Sequence, residues 1–220
     1  ILRPSFIMVG TIISLILLPF LNQGQPAIVS TVEPLASREF SLEKRYADSF
    51  VNDVFKDNIL LTIKYLTGEE IDPKKINFED VRKPFDQKLI LKPGEAFAFH
   101  DDVLPEYDGK VARTVNAHFN AQEGFRFSGL LFGDGVCHLA SLLYRVAKDA
   151  GLETVAQVNH NFANIPEVPG DYGVSIYAYP GMQYSDQMQN LYITNNKNRD
   201  IAFVFKYDGE NLKISAVKSL

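Results

Sequence analysis

The chain has 220 residues, of which 46% are hydrophobic, and its 22 basic and 27 acidic residues give a formal net charge of −5. This composition supports one globular domain with a substantial core, and the absence of a long lysine or arginine run argues against a nucleic-acid partner. The single cysteine, Cys137, excludes an intrachain disulfide and any multi-cysteine metal site, because each needs at least two thiolates from the chain.

The first two dozen residues differ from the rest of the chain. Residues 6–21 carry no charge and could cross most of a ~30 Å hydrocarbon layer as a helix. We therefore predict a membrane anchor over residues 1–21. A cleavable signal peptide is the alternative, although residues 23–27 contain no clear small-x-small cleavage site. Arg3 precedes the apolar run, which favours a single-pass protein in the cytoplasmic membrane with its domain on the extracytoplasmic side.

Residues 22–39 are rich in Gln, Pro and Ser and are predicted to be a linker, so that the domain spans residues 40–220. Apolar side chains then recur at three- and four-residue steps over residues 41–66, which predicts an amphipathic helix that stops at Gly68.

The remaining elements are strands around a second helix. Residues 88–100 and 111–127 alternate in polarity and contain turn signals at Pro93-Gly94 and Gly124. An apolar stripe from Cys137 to Ala150 predicts a helix that stops at Gly151. Further strands are predicted over 153–159, 173–179, 190–195, 201–207 and 212–217. The order of elements predicts an α+β fold, with a mainly antiparallel sheet packed with two principal helices.

Cys137 is the candidate centre of a functional site. A helix N-terminus stabilises a thiolate, and the glycines of Gly133-Asp134-Gly135 would let a substrate approach the backbone. His160 and Asp171 follow on the next segments and could complete a Cys-His-Asp triad. The competing interpretation is that Cys137 is a buried small hydrophobic residue.

The other histidines are weaker candidates for chemistry. His138 points about 100° away from Cys137 around the helix and is a poor base for it. His100 and His118 fall on predicted strands, where satisfied polar or surface side chains are expected. A metal site built from Cys137, His138 and His160 is disfavoured, since no HxH or HxxxH pair supports it, so that no metal or cofactor is expected.

Several segments together resemble the VanW-like family. Residues 133–151 resemble its glycine cluster followed by V-C-Q-V-S-S-T-L-Y and a helix ending in A-G-L, with His138 and Ala140 departing from the family pattern. The Cys137 helix also resembles a transglutaminase-type cysteine core, which implies a transglutaminase-like core for the domain. Three further segments resemble the VanW-like family: 91–99 (LKPGEAFAF), 169–177 (PGDYGVSIY) and 190–196 (NLYITNN), the last with Asn190 in place of the family's Asp.

Two functions are compatible with these observations. The first is a non-catalytic envelope-binding module or accessory subunit, whose expected partners are the membrane and either an integral membrane complex or peptidoglycan. The second is a cysteine-dependent acyl-transfer or hydrolytic enzyme acting on envelope peptides. In it, Cys137 is the nucleophile, His160 the base and Asp171 the orienting acceptor. The oxyanion and substrate would then be bound by Gly135, His138 and Ser141.

Overall fold

The computed structural model describes residues 33–129, 133–179 and 181–219. Within these ranges the chain forms four α-helices and eight β-strands. The helices are α1 (Ser49–Thr67), α2 (Phe78–Val81), α3 (Val136–Asp149) and α4 (Gln183–Met188). The strands are β1 (Ala36–Ser41), β2 (Phe85–Leu91), β3 (Ala96–Ala98), β4 (Val111–Arg113), β5 (Glu153–Ala156), β6 (Leu191–Thr194), β7 (Ile201–Tyr207) and β8 (Asn211–Lys218).

The strands form two sheets. The first has the order β1-β8-β7-β2 and is antiparallel throughout, so the first and last described strands are neighbours. The second has the order β4-β3-β6-β5 and is antiparallel except for the parallel pair β3–β4. The predicted α+β class with mainly antiparallel pairing is therefore confirmed, with two sheets in place of one. The transglutaminase-like arrangement of the core stays a prediction.

Helix α3 joins the two sheets. It packs against β1 and β8 of the first sheet, β5 and β6 of the second, and α1. Its apolar stripe, including Leu139, Leu142, Leu143 and Val146, is fully buried, and each such side chain contributes about 1.5–3 kcal/mol of hydrophobic stabilisation. The helix ends before Gly151, which has φ +67°. The predicted helix over residues 137–150 is confirmed. Its apolar side chains recur with the helical period because both sheets and α1 pack against them.

Helix α1 begins later than the predicted helix over residues 41–66. Asp48 caps it by accepting a hydrogen bond from the Val51 N–H, and Gly68 ends it with φ +81°. The preceding residues form β1 and a 3-10 turn, Leu42–Lys44. Strand β1 includes residues 36–39, which the sequence assigned to the linker. Pairing with β8 holds this segment extended, and that partner lies more than 170 residues away in the chain.

Two predicted strands are largely absent. Within residues 111–127 only β4 is a strand, because Asn116 and Phe119 have positive φ and Asn120 opens a capped 3-10 turn. Residues 173–179 are extended but form no ladder. The Ser175 N–H donates to the Val158 carbonyl and the Tyr177 N–H to the Gln189 carbonyl. The segment lies between two different partners, so regular pairing does not develop.

The predicted anchor over residues 1–21, and the linker as far as residue 32, lie outside the described residues. In the part of the chain that the structure describes, no helix combines the length and hydrophobicity needed to span a membrane.

Candidate functional site

Tight backbone packing positions the start of α3. Gly135 precedes the helix with φ +104°, and a Cβ placed on it would lie 2.5 Å from the Phe55 carbonyl oxygen on α1. A Cβ on Gly133 would lie 2.8 Å from the Phe119 Cβ. The space beside these glycines is therefore occupied by the chain's own α1 and by Phe119. These contacts account for the two glycines by packing, and the predicted role of Gly135 in binding a substrate or oxyanion stays a prediction.

A buried asparagine fastens the same loop to α1. The Asn58 Nδ2 group donates to the backbone carbonyls of Arg126, at 3.0 Å, and Asp134, at 2.9 Å. Its Oδ1 accepts from the Arg126 N–H at 2.8 Å. Asn58 is fully buried, so these bonds satisfy a side chain that would otherwise be costly to desolvate. Asn58 was not among the residues predicted from the sequence, although a polar Asn within the apolar stripe of α1 was an available signal.

Cys137 is half-buried near the start of α3 and packs against the hydrophobic core. Its Sγ accepts a hydrogen bond from the Ile176 N–H at 3.4 Å, and the thiol donates to the Ile176 carbonyl at 3.6 Å. Burial raises the pKa of Cys137 to about 11. The thiol is therefore neutral near pH 7. The thiolate expected at a helix N-terminus does not form there, because loss of hydration outweighs the helix dipole.

Ser141 lies one helical turn after Cys137 and is fully buried. Its hydroxyl donates to the Cys137 carbonyl and accepts from the Val174 N–H, both at 2.8 Å. Ser141 thereby ties residues 174–176, including the backbone groups that contact the thiol, to α3. The hydroxyl is engaged in these contacts, so the predicted oxyanion role of Ser141 stays a prediction.

His138 points away from Cys137 into a buried environment. Its ring packs edge-on against Phe55, with the centroids 4.9 Å apart. Burial lowers the pKa of His138 to about 3, and the positive charge of Arg45 and the His160 ring act in the same direction. Nδ1 has no hydrogen-bond partner among the described residues. The imidazole is neutral, and its suggested oxyanion role is untested.

His160 lies close to His138, with ring centroids 6.3 Å apart. Its Nδ1 is 3.2 Å from the Ala163 carbonyl, and its ring packs on Phe162 at a centroid distance of 3.9 Å. Burial also lowers the pKa of His160. Among the described residues, the hydrogen-bond partners of the Cys137 Sγ are both on Ile176 and do not include His160. The proposed Cys-His pair is therefore not formed in this conformation.

A pocket of ≈ 570 Å³ is lined in part by His160. Asp171, exposed in the 3-10 turn Gly170–Tyr172, lines the same pocket. The structure thus brings His160 and Asp171 to one pocket, while Cys137 is not among the lining residues. Three asparagines, one carboxylate and two aromatic rings make up half of the pocket lining, and aliphatic residues, proline and glycine make up the other half. The lining comprises Asn159, His160, Asn161, Phe162, Ala163, Asn164, Ile165, Val168, Pro169, Gly170, Asp171 and Gly173.

Arg45 contacts the pocket-lining segment at Pro166 and Glu167, and it was not predicted from the sequence. Its side chain is fully buried, forms an ion pair with Glu167 and donates from Nη1 to the Pro166 carbonyl at 3.1 Å. Burial lowers the pKa of Arg45, and Glu167 opposes that shift. A pair separated by more than 120 residues leaves no local sequence signal.

Comparison with known proteins then places the chain. The family model described as "VanW like protein" matches residues 74–217, a range that contains Cys137, His160 and Asp171. No curated protein and no solved structure matches the chain. The match covers more than half of the chain and agrees with the motifs around Cys137. The chain therefore belongs to the VanW-like family.

Proposed function

We propose that this chain is a non-catalytic VanW-like module at the cell envelope, which binds an envelope ligand through the pocket beside His160. Membrane attachment through residues 6–21 and an extracytoplasmic location are part of the proposal. The expected ligand is peptidoglycan, and the pocket could equally receive a segment of an integral membrane complex in an accessory role.

The state of Cys137 carries the non-catalytic part of the proposal. Both hydrogen-bonding functions of its thiol are used by the Ile176 backbone, and burial raises its pKa to about 11. A cysteine nucleophile needs thiolate character and a base within hydrogen-bond reach. Neither condition is met in this conformation, so Cys137 acts as a packing residue.

The chemistry of the pocket supports the binding part. Its volume of ≈ 570 Å³ lies in the range of small-ligand sites, roughly 300–1,000 Å³. Asn161 and Asn164 are exposed at its wall and can each donate and accept hydrogen bonds. Phe162 is 74% exposed and offers an apolar ring beside these amides. Amides next to an aromatic ring suit the mixed polar and apolar surface of an envelope peptide or glycan.

The test is co-sedimentation of the full chain with purified peptidoglycan. Ala163→Trp places a large side chain in the pocket and leaves the backbone carbonyl that contacts His160, so it should abolish binding. Ala121→Trp alters an exposed alanine outside the pocket lining and should bind like the wild type. Cys137→Ala should also bind normally. Equal binding by the two tryptophan variants would contradict the pocket assignment.

The cysteine-dependent acyl-transfer or hydrolase alternative is favoured by one observation, the shared pocket of His160 and Asp171. It requires residues 174–176 to move away from Sγ and expose it to His160. Intact-mass spectrometry with an acyl-donor peptide tests this. An acyl adduct that forms on the wild type and is absent from Cys137→Ala would replace the non-catalytic proposal.

A further inference from the structure

A group of potential metal ligands lies directly after β3. His100, Asp101 and Asp102 each offer one ligand atom, and these atoms all lie within 4.8 Å of one another. His100 is fully buried, Asp102 is half-buried and Asp101 is exposed, so the group extends from the interior to solvent. None of the three lines the pocket at His160.

The buried imidazole is held from outside the group. The His100 Nε2 lies 3.1 Å from the Gln189 carbonyl, which can only accept, so Nε2 carries the proton and Nδ1 has a lone pair. The Asn190 Nδ2 is 3.3 Å from Nδ1, and it is closer to the carbonyls of His100, at 3.2 Å, and Asp102, at 3.0 Å. Two N–H bonds cannot serve three acceptors. The Nδ1 lone pair is therefore the surplus acceptor.

Of the two aspartates, Asp101 has a partner for its carboxylate and Asp102 has none among the described residues. Among the described residues, the Asp102 carboxylate has no hydrogen-bond or ion-pair partner. Asp101 pairs with the His118 Nε2 at 3.2 Å. His118 is itself shared with Glu123, at 3.2 Å from Nδ1. In this part of the structure no lysine or arginine forms an ion pair with either aspartate. Asp102 is therefore available to a bound cation, and Asp101 would have to exchange His118 for that cation.

A third carboxylate adds to this excess of negative charge. Asp186 is fully buried, its Oδ2 accepts from the Tyr179 N–H at 2.9 Å, and its Oδ1 has no partner among the described residues. Its charge acts on the His100 imidazole through space, as do the charges of Asp101 and Asp102. A buried imidazole nitrogen beside such carboxylates is a favourable setting for a cation.

We propose that His100, Asp101 and Asp102 bind one divalent transition-metal ion through an imidazole nitrogen and two carboxylate oxygens, with water completing the coordination. Nitrogen and oxygen ligands of this kind suit Zn²⁺ and its neighbours. A ligating histidine normally donates its second ring N–H to a carbonyl or carboxylate, as His100 does to Gln189. Gln189 is thus a positioning residue. The site is independent of the proposed function.

The experiment is isothermal titration of Zn²⁺ into the full chain, purified in mild detergent and stripped with EDTA. A Cys137→Ala background removes the thiol as a competing ligand. We expect one Zn²⁺ per chain and binding that is weakened more than about 100-fold by Asp101→Asn combined with Asp102→Asn. The matched control is Glu79→Gln combined with Asp80→Asn, which removes two adjacent exposed acidic residues on α2. This control should bind Zn²⁺ normally.

Co²⁺ absorption and thermal unfolding complete the test. Bound Co²⁺ should show d–d bands without a thiolate charge-transfer band, and Zn²⁺ should raise the Tm of the parent and of the control only. If the double variant unfolds without metal, Asp102→Asn alone takes its place. Absence of Zn²⁺ binding to the parent, or equal binding by the aspartate variants and the control, would overturn the assignment.

Discussion

The sequence predicted that the start of α3 and residues 159–173 together form one site. In the structure the first is tightly packed and the second lines a pocket. At α3, Gly135 contacts α1 closely and the Cys137 thiol is bonded to the Ile176 backbone. Residues 159–173 instead surround a pocket open to solvent. The difference shows that motif residues of one family can divide between a packed helix start and the lining of a pocket.

The thiol illustrates the physical reason. A helix N-terminus stabilises a nearby negative charge by about 0.3–1 kcal/mol. Burial raises the pKa of Cys137 from 9.0 to about 11, and each pH unit corresponds to about 1.4 kcal/mol. Desolvation is therefore the larger effect, and the position at the helix start does not by itself create a reactive cysteine.

The largest expected effect is at Gly135. Gly135→Ala should lower the free energy of unfolding by about 3 kcal/mol or more, because the backbone has φ +104° and the new Cβ meets the Phe55 carbonyl. Gly94→Ala is the control, since Gly94 has φ +79° and nothing within 4 Å of its Cβ position, and should cost about 1–2 kcal/mol. Urea unfolding measures both. Equal losses would mean that the α1–α3 contact is not tight.

The next effect concerns thiol reactivity. At pH 8 iodoacetamide should alkylate Cys137 about 100-fold more slowly in the folded chain than in the urea-unfolded chain, because burial raises its pKa from 9.0 to about 11. The unfolded thiol loses its proton first, so stability should fall as the pH rises from about 9 to 11. Cys137→Ala should lack this decline. Mass spectrometry of the alkylated fraction gives the rates, and equal rates would restore the reactive-cysteine interpretation.

A smaller effect is expected at Ser141. Ser141→Ala should cost about 1–3 kcal/mol, because it leaves the buried Val174 N–H without an acceptor. It should also speed alkylation of Cys137 by loosening residues 174–176. Thr62→Val is the control: the Thr62 hydroxyl is fully buried and donates to the Asn58 carbonyl within α1, at 2.6 Å. It should cost less than about 1 kcal/mol. A stability loss for Ser141→Ala no larger than for Thr62→Val would show that Ser141 does not hold the segment.

The smallest effect belongs to the pocket. Ala163→Trp should change the free energy of unfolding by no more than about 0.5 kcal/mol, because Ala163 is exposed and its side chain carries no core contact. Thermal unfolding measures this alongside the binding test. A loss of several kcal/mol would mean that the Ala163 side chain packs in the core with Ile165 and Val168, and the contrast with α3 would disappear.

Much of the fold was predictable from local patterns. The predicted α3 stripe and the strands predicted over 201–207 and 212–217 match α3, β7 and β8 closely. For α3 the reason is that burial of one helix face imposes a period that the sequence must keep. Strand β1 was not predictable in this way. Its extended form depends on pairing with β8 at the far end of the chain, and its own residues carry little alternation.

The amino-acid sequence by itself determined the α+β class, the two principal helices, the family and the position of Cys137 at a helix start, since each depends on local periodicity or motif order. Only the tertiary structure decided which side chains are in contact and which are buried away from water. Folding placed Ile176 on the thiol, Arg45 on Glu167 and His100 beside its two aspartates. The pKa and the availability of a side chain depend on such neighbours, because hydration and charge act through space and not along the chain.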